Sequence, residues 1–168
     1  IVVGVCAFNV HQWLAGVKPQ LLRWVGEGGT LLVQYQTKNR LSKLPKPLGP
    51  FPFGVSQKRV TDETAAVDFA QPDDAVLRAP NRLGPDDFAG WVQERGLYFA
   101  GEWDGRYSAP LAMHDPGEPP LRGSLLVARV GKGRFVYTGL SFFRQLPAGV
   151  PGAFRLMANL LAREGDGR

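Results

Sequence analysis

The chain has 168 residues, of which 44% are hydrophobic and 21% charged, and its formal net charge is +5. This length fits one domain with a substantial core, and aliphatic and aromatic residues spread along the whole chain exclude general disorder. No apolar run approaches the roughly 18 residues of a membrane-spanning helix, and a single cysteine, Cys6, excludes an internal disulfide.

The predicted elements begin with a strand over residues 1–7, IVVGVCA, which is almost entirely apolar, as expected for a parallel strand covered on both faces. A strand at the first residue, with no charged leader, suggests a fragment of a longer chain. A helix is predicted over about residues 12–26, with either a kink at Pro19 or a start near Lys18. A strand at residues 30–35 completes a right-handed parallel strand–helix–strand unit.

Residues 36–52 form a long proline-rich loop, which is a candidate functional segment because of its length. No recognition helix or aromatic sheet motif accompanies its charge, so we favour a solvated loop over a nucleic-acid surface. Further on, the sequence predicts short strands at 53–60, 64–69 and 111–114, short helices at 73–77 and 86–93, and a polar-aromatic loop at 103–107. The basic residues of this region are Lys38, Arg40, Lys43, Lys46, Lys58 and Arg59.

The C-terminal stretch predicts a β-hairpin followed by a helix. Gly131-Lys132-Gly133 is a tight turn between strands at 124–130 and 134–140, because glycine adopts positive φ at little steric cost. In the closing helix, Phe154, Met157, Leu160 and Leu161 recur at helical spacing, which predicts one stripe lying on a sheet face.

No motif of an established catalytic type is present. We expect a nucleophile, if there is one, after the strand at residues 30–35, where Gln36 and Thr37 stand instead. Cys6 is interpreted as a buried structural cysteine. The only histidines, His11 and His114, lack the spacing of a zinc site, so we predict no metal and no cofactor.

A cluster of polar and aromatic residues is the remaining candidate. Glu102, Trp103, Asp104 and Arg106 are residue types that bind sugars or other polar small molecules, although a loop packed by Trp103 explains them equally well. In open α/β sheets, ligands also bind beyond the carboxyl ends of the strands. Together these two arguments nominate as ligand-binding residues Asn9, His11, Gln36, Thr37, Glu102, Trp103, Arg106, Ser141 and Arg144.

The segments GVCAFN…LLRWVGEGGTLLVQYQ, WVQERGLYFAGEWD and GKGRFVYTGLSFFRQLPAGVPGAFRLMANLL resemble the glutamine-amidotransferase-like domain that follows the zinc deacetylase domain in long bacterial PIG-L/LmbE family proteins. The GKGRxVYT pattern with its closing helix is also similar to ThuA-like and β-galactosidase middle domains. The resemblance covers essentially the whole chain. It implies a single domain over residues 1–168 with a flavodoxin-like α/β fold: a mostly parallel sheet, helices on both faces, a β-hairpin near the C-terminus, and N-terminal strands missing.

Amidotransferases of this type use a Cys–His–Glu triad, from which the sequence departs: Gln34-Tyr35-Gln36 stands where the nucleophile is expected, and no HxE follows. The resemblance therefore implies a non-catalytic accessory domain of an N-acetylsugar deacetylase. Its partners would be an upstream deacetylase domain or a partner subunit, and carbohydrate, with no nucleic acid and no membrane span. The alternative is a hydrolase or transferase that uses Cys6 or the acid pair Glu102 and Asp104.

Overall fold

The computed structural model describes residues 1–38 and 44–163. Two 3₁₀ turns, Ala75–Leu77 and Pro85–Phe88, accompany its strands and helices. In chain order these are β1 (Val2–Val3), α1 (Ala7–Val10), α2 (Gln12–Gly26), β2 (Thr30–Gln34), β3 (Phe53–Val55), β4 (Arg59–Val60), β5 (Val67–Phe69), β6 (Gly96–Leu97), β7 (Ala100–Trp103), β8 (Leu111–Met113), β9 (Leu121–Arg122), β10 (Leu125–Val130), β11 (Gly133–Thr138), α3 (Phe142–Gln145) and α4 (Pro151–Leu161).

A central sheet has four strands in the order β1, β2, β11, β10. β1 and β11 are parallel to β2, so the predicted parallel strand–helix–strand unit is present. β10 is antiparallel to β11 and forms the predicted hairpin, with Gly131 at φ +57° in its turn.

The central sheet separates two hydrophobic clusters, because alternate side chains of a strand point to opposite faces. Leu31 and Val33 of β2 belong to the cluster that contains Leu14 and Val25 of α2, which we call the α2-side cluster. The intervening Leu32 belongs to the cluster that contains Leu156 and Leu160 of α4, called the α4-side cluster.

The prediction of a flavodoxin-like fold with a mostly parallel sheet is wrong. Outside the central sheet, every strand pairing among the described residues is antiparallel: β3 with β7, β4 with β6, and β5 with β8 and β9. The molecule is a mixed α/β structure of several small sheets with few helices. The physical reason lies in residues 53–122, whose strands have only two to four residues each. The paired strands β3 and β7, β4 and β6, and β5 and β8 are far apart in the chain and meet in antiparallel orientation, so no parallel crossover unit forms among them.

Element boundaries at the N-terminus differ from the prediction in one place. The strand predicted over residues 1–7 ends at Val3, because Cys6 adopts φ +54° and starts α1. The helix predicted over residues 12–26 has the observed bounds of α2 and runs through Pro19, so the alternative start near Lys18 is wrong.

The buried face of α4 also differs from the predicted stripe. Phe154 is 51% exposed and Leu161 is 38% exposed, whereas Ala153, Leu156 and Leu160 are buried. Gly152 explains this rotation: a Cβ at this position would lie 1.8 Å from the carbonyl oxygen of Asp87. Only a glycine permits that approach, which turns the small-residue side of the helix toward the 3₁₀ turn at Pro85–Phe88.

Across residues 1–38 and 44–163, no helix combines the length and the apolar character that crossing a membrane requires.

Candidate functional site

The structure divides the predicted site residues into two groups. One group lies where the parallel strands end and comprises Asn9, His11, Gln36, Thr37, Ser141 and Arg144. The other lies on and just after β7 and comprises Glu102, Trp103 and Arg106.

At the strand ends, the most buried polar side chains are occupied by the protein itself. Gln36 is fully buried: its Oε1 accepts a hydrogen bond from the amide of Phe8 at 2.9 Å, and its Nε2 donates to the carbonyl oxygen of Gln34 at 2.8 Å. Ser141 is also fully buried and donates to the carbonyl oxygen of Glu94 at 2.7 Å. Both side chains therefore hold the chain in place, since buried polar groups need such partners.

The other strand-end residues also make protein contacts. Asn9 and Thr37 exchange two hydrogen bonds, of 2.8 Å from Asn9 Nδ2 to the Thr37 carbonyl oxygen and 3.0 Å from the Thr37 amide to Asn9 Oδ1. Arg144 Nε lies 2.6 Å from Glu94 Oε1. His11 is exposed and packs against Trp13, with 6.1 Å between ring centroids.

Cys6 occupies an unusual backbone position at this end of the sheet. It follows β1 on a sharp strand-to-helix turn in the left-handed region, where non-glycine residues are uncommon. Such a turn carries the nucleophile in some α/β hydrolases. The turn was predicted after β2, if anywhere, and lies instead after β1. Gly4, two residues before Cys6 as in a Gly-x-nucleophile pattern, is the signal that could have found it, although Phe8 stands where that pattern has a second glycine.

The surroundings of Cys6 supply no recognisable catalytic apparatus. Burial raises the pKa of the Tyr35 hydroxyl to about 12, and the electrostatic effect of the neighbouring Cys6 adds to the shift. The amide of Ala7, which would be the first oxyanion donor, already donates to the carbonyl oxygen of Gly4 at 3.1 Å. Within the described residues neither histidine hydrogen bonds to Cys6, and His114 Nδ1 lies 3.0 Å from the carbonyl oxygen of Asp115.

The second group of predicted residues borders a large open cleft of about 880 Å³. One wall is formed by β3 and β7, in which Phe53 pairs with Trp103 and Gly54 pairs with Glu102. The proline-rich segment, here the segment 44–48, and Lys38 also line the cleft. The described lining residues are Lys38, Leu44, Pro45, Lys46, Pro47, Leu48, Pro52, Phe53, Gly54, Val55, Glu102, Trp103 and Asp104.

A packed group of aromatic rings supports the β3 wall. The Phe53 ring centroid lies 4.9 Å from that of Tyr137 and 5.6 Å from that of Tyr107. The Tyr107 hydroxyl donates to the carbonyl oxygen of Phe51 at 2.9 Å and accepts from its amide at 3.2 Å. The wall is therefore preformed, because each ring and the Tyr107 hydroxyl already have partners.

The two carboxylates of the acid pair suggested by the sequence, Glu102 and Asp104, have different environments. Arg106 Nε and Nη2 each lie 2.8 Å from an oxygen of Asp104, and this double hydrogen bond lowers the pKa of Asp104 to about 2. The guanidinium also stacks on Phe51 at 3.7 Å from the ring centroid. Asp104 is thus a permanently ionised, paired carboxylate, which makes it unsuited to donate a proton at neutral pH. Glu102 is exposed and forms no ion pair with any described residue.

The structure therefore brings Glu102 and Trp103 to the cleft, whereas Arg106 does not line it and pairs with Asp104. Lys38 and Lys46 are site residues that the sequence did not predict, because a proline-rich basic loop is typical of a solvated segment. Two other basic residues of that loop, Arg40 and Lys43, lie outside the described residues.

Comparison with known proteins identifies no family. No family model matches the chain, and no curated protein matches it. Among solved structures, the chain is similar to the β-galactosidase from Rahnella sp. R3, with a TM-score of 0.45 and 18% sequence identity over 88% of this chain. The match covers 21% of the β-galactosidase, so the chain spans about a fifth of that enzyme's length. A similarity at this level supports no argument about function.

Proposed function

We propose that the chain is a non-catalytic accessory domain that binds carbohydrate in the cleft between β3, β7 and segment 44–48. The observation that carries this proposal is the pairing of a half-buried aromatic ring, Trp103, with an exposed carboxylate, Glu102, on the wall of one large cleft. Its volume of about 880 Å³ lies within the range of roughly 300–1,000 Å³ that is typical of small-molecule sites.

The chemistry of the walls suits a sugar. Trp103 and the prolines of segment 44–48 offer flat apolar surfaces to the C–H faces of a pyranose ring, while Glu102 and the two lysines can hydrogen bond to its hydroxyl groups. Backbone next to Gly54 is open, since a Cβ there would meet no atom within 4 Å. A ring can therefore approach the strand closely at this point.

The openness at Gly54 supplies a direct test. Gly54→Leu should fill the cleft without a clash, and we expect it to weaken oligosaccharide binding at least about tenfold, measured by calorimetry after a screen of immobilised neutral, N-acetylated and acidic oligosaccharides. Gly84→Leu is the matched control, because that glycine also has open space around it and lies outside the cleft. No binding of any oligosaccharide, or equal binding by Gly54→Leu, would contradict the proposal.

The second part of the proposal is association with a PIG-L/LmbE-type zinc deacetylase, and its support is the sequence resemblance. We expect a purified deacetylase domain of that type to bind the chain in light-scattering chromatography. Co-elution with a defined stoichiometry supports the association. Independent elution of the two proteins at micromolar concentration counts against it.

The left-handed backbone at Cys6 favours one alternative, a hydrolase or transferase with Cys6 as nucleophile. A reactive thiolate would be labelled rapidly by iodoacetamide, and labelling would slow as the pH falls through a depressed pKa. We expect slow labelling of the folded protein instead, because neither histidine hydrogen bonds to Cys6 within the described residues and no base is therefore in place to activate it. Labelling as fast as that of the unfolded protein would contradict this expectation.

A further inference from the structure

We propose that the cleft selects acidic saccharides, whose anionic group lies between Lys38 and Lys46. This inference rests on the proposed carbohydrate-binding function and adds the class of ligand to it.

The first argument is the state of the two lysines. Both line the cleft, and both are exposed. Within the described part of the chain, neither lysine has an ion pair or hydrogen bond to another residue. Their ammonium groups are therefore available to a ligand, and a carboxylate or sulfate is the group that both could bind with charge-assisted hydrogen bonds.

The second argument is the balance of charge on the described lining. Asp104 contributes no net charge, because Arg106 neutralises it through two hydrogen bonds. Glu102 is then the one unpaired carboxylate among the described lining residues, and it faces two unpaired cations. The described lining together with Arg106 thus has a net charge of +1, which favours anions over cationic sugars.

The third argument is that segment 44–48, which carries Lys46, is attached to the body of the protein. Lys18 of α2 donates a hydrogen bond to the carbonyl oxygen of Pro47, the residue that follows Lys46. On the far wall, the amide of Asp104 donates to the carbonyl oxygen of Pro52 at 2.9 Å. Segment 44–48 and the Trp103 wall are thus each anchored, the first by Lys18 of α2 and the second by Pro52, which precedes β3.

The experiment compares three oligosaccharides of four to six units by calorimetry: an oligogalacturonate, a sulfated galactan fragment and a neutral galactan fragment. The acidic probes should bind the intact chain at least about tenfold more tightly than the neutral one, and the preference should shrink in high salt. Binding of one acidic probe alone would show whether carboxylate or sulfate is the preferred anion.

Lys38→Met and Lys46→Met should each weaken acidic binding about three- to tenfold and weaken neutral binding less, because a neutral sugar lacks the anion that both ammonium groups bind. Lys132→Met is the control, because it removes the same charge from an exposed hairpin turn outside the cleft. All three lysines are exposed, so the variants should retain the thermal unfolding temperature of the parent chain.

The outcomes separate the two proposals. Equal affinity for neutral and acidic probes, unaffected by the lysine variants, overturns the selectivity and leaves carbohydrate binding standing. Failure of every oligosaccharide to bind overturns both. Binding of an oligothymidylate that depends on the same lysines, without saccharide binding, also overturns both and assigns the cleft to nucleic acid instead.

Discussion

Asn159 shows how one buried polar side chain can join distant parts of this fold. It is fully buried on α4, where its Nδ2 donates to the carbonyl oxygens of Val76 at 2.9 Å and Asn81 at 2.7 Å. Its Oδ1 accepts a hydrogen bond from the amide of Asn81 at 2.9 Å. The side chain thus satisfies backbone groups of a loop that has no strand or helix partner for them.

Asn159→Ala should therefore destabilise the protein by about 2–3 kcal/mol, because buried backbone groups of Val76 and Asn81 lose their partners. Chemical denaturation measures the change in unfolding free energy. Phe154→Ala is the control on the same helix, since Phe154 is half exposed and should matter little. An equal decrease in unfolding free energy for the two variants would show that the hydrogen bonds of Asn159 contribute no particular stability.

At the scale of elements, a glycine backbone contact decides how α4 packs, whereas a glycine of α2 makes no such contact. Gly152 of α4 meets the backbone of Asp87 so closely that a Cβ would lie 1.8 Å from its carbonyl oxygen. Gly16 of α2 is exposed, and a Cβ there would meet no atom within 4 Å. Packing therefore requires the glycine at position 152 and does not require the one at position 16.

Gly→Ala substitutions at these two positions should change the stability of the protein in opposite directions. Gly152→Ala should destabilise by about 1–3 kcal/mol, because α4 must move away from the 3₁₀ turn at Pro85–Phe88. Gly16→Ala should stabilise by about 0.5–1 kcal/mol, because alanine has the higher helix propensity. Differential scanning calorimetry measures both. A shift of the unfolding temperature in the same direction for both variants would contradict the packing argument.

At the scale of the whole molecule, two of its four tyrosines, Tyr107 and Tyr137, are buried, and Tyr35 is half-buried. Burial is the main cause that raises the pKa of Tyr35 to about 12, and burial also raises the pKa values of Tyr107 and Tyr137. Tyr107 and Tyr137 belong to the aromatic group behind the cleft, so their ionisation reports on the integrity of this region.

The raised values predict an alkaline transition. A tyrosine whose pKa is higher in the folded state stabilises that state fully below its unfolded pKa of about 10, and this contribution is lost as the pH rises through the folded value. Stability should therefore fall above about pH 10, with phenolate absorbance at 295 nm rising together with loss of near-UV circular dichroism. Complete ionisation of all four tyrosines near pH 10 with intact dichroism would contradict this prediction.

Only half of the candidate site could be predicted from the sequence, and the reason is physical. Glu102 and Trp103 are adjacent in sequence, and their chemistry alone suggested a sugar site. Lys38 and Lys46 reach the same cleft from more than fifty residues away, because β3 and the segment before it fold back onto β7. Nothing in the residues next to these lysines indicates that they line the same cleft as a tryptophan, so the sequence pattern alone favours a solvated loop.

The sequence by itself determined the features that depend on neighbouring residues: the bounds of α2, the glycine turn of the β10–β11 hairpin, and the parallel β1–β2 unit. The tertiary structure alone decided the small antiparallel sheets, the rotation of α4 and the walls of the cleft. The reason for this division is the distance along the chain over which each kind of interaction acts. Periodicity and turn chemistry act over a few residues, whereas strand pairing and helix rotation depend on contacts such as Gly152 with Asp87, which form only when distant segments meet.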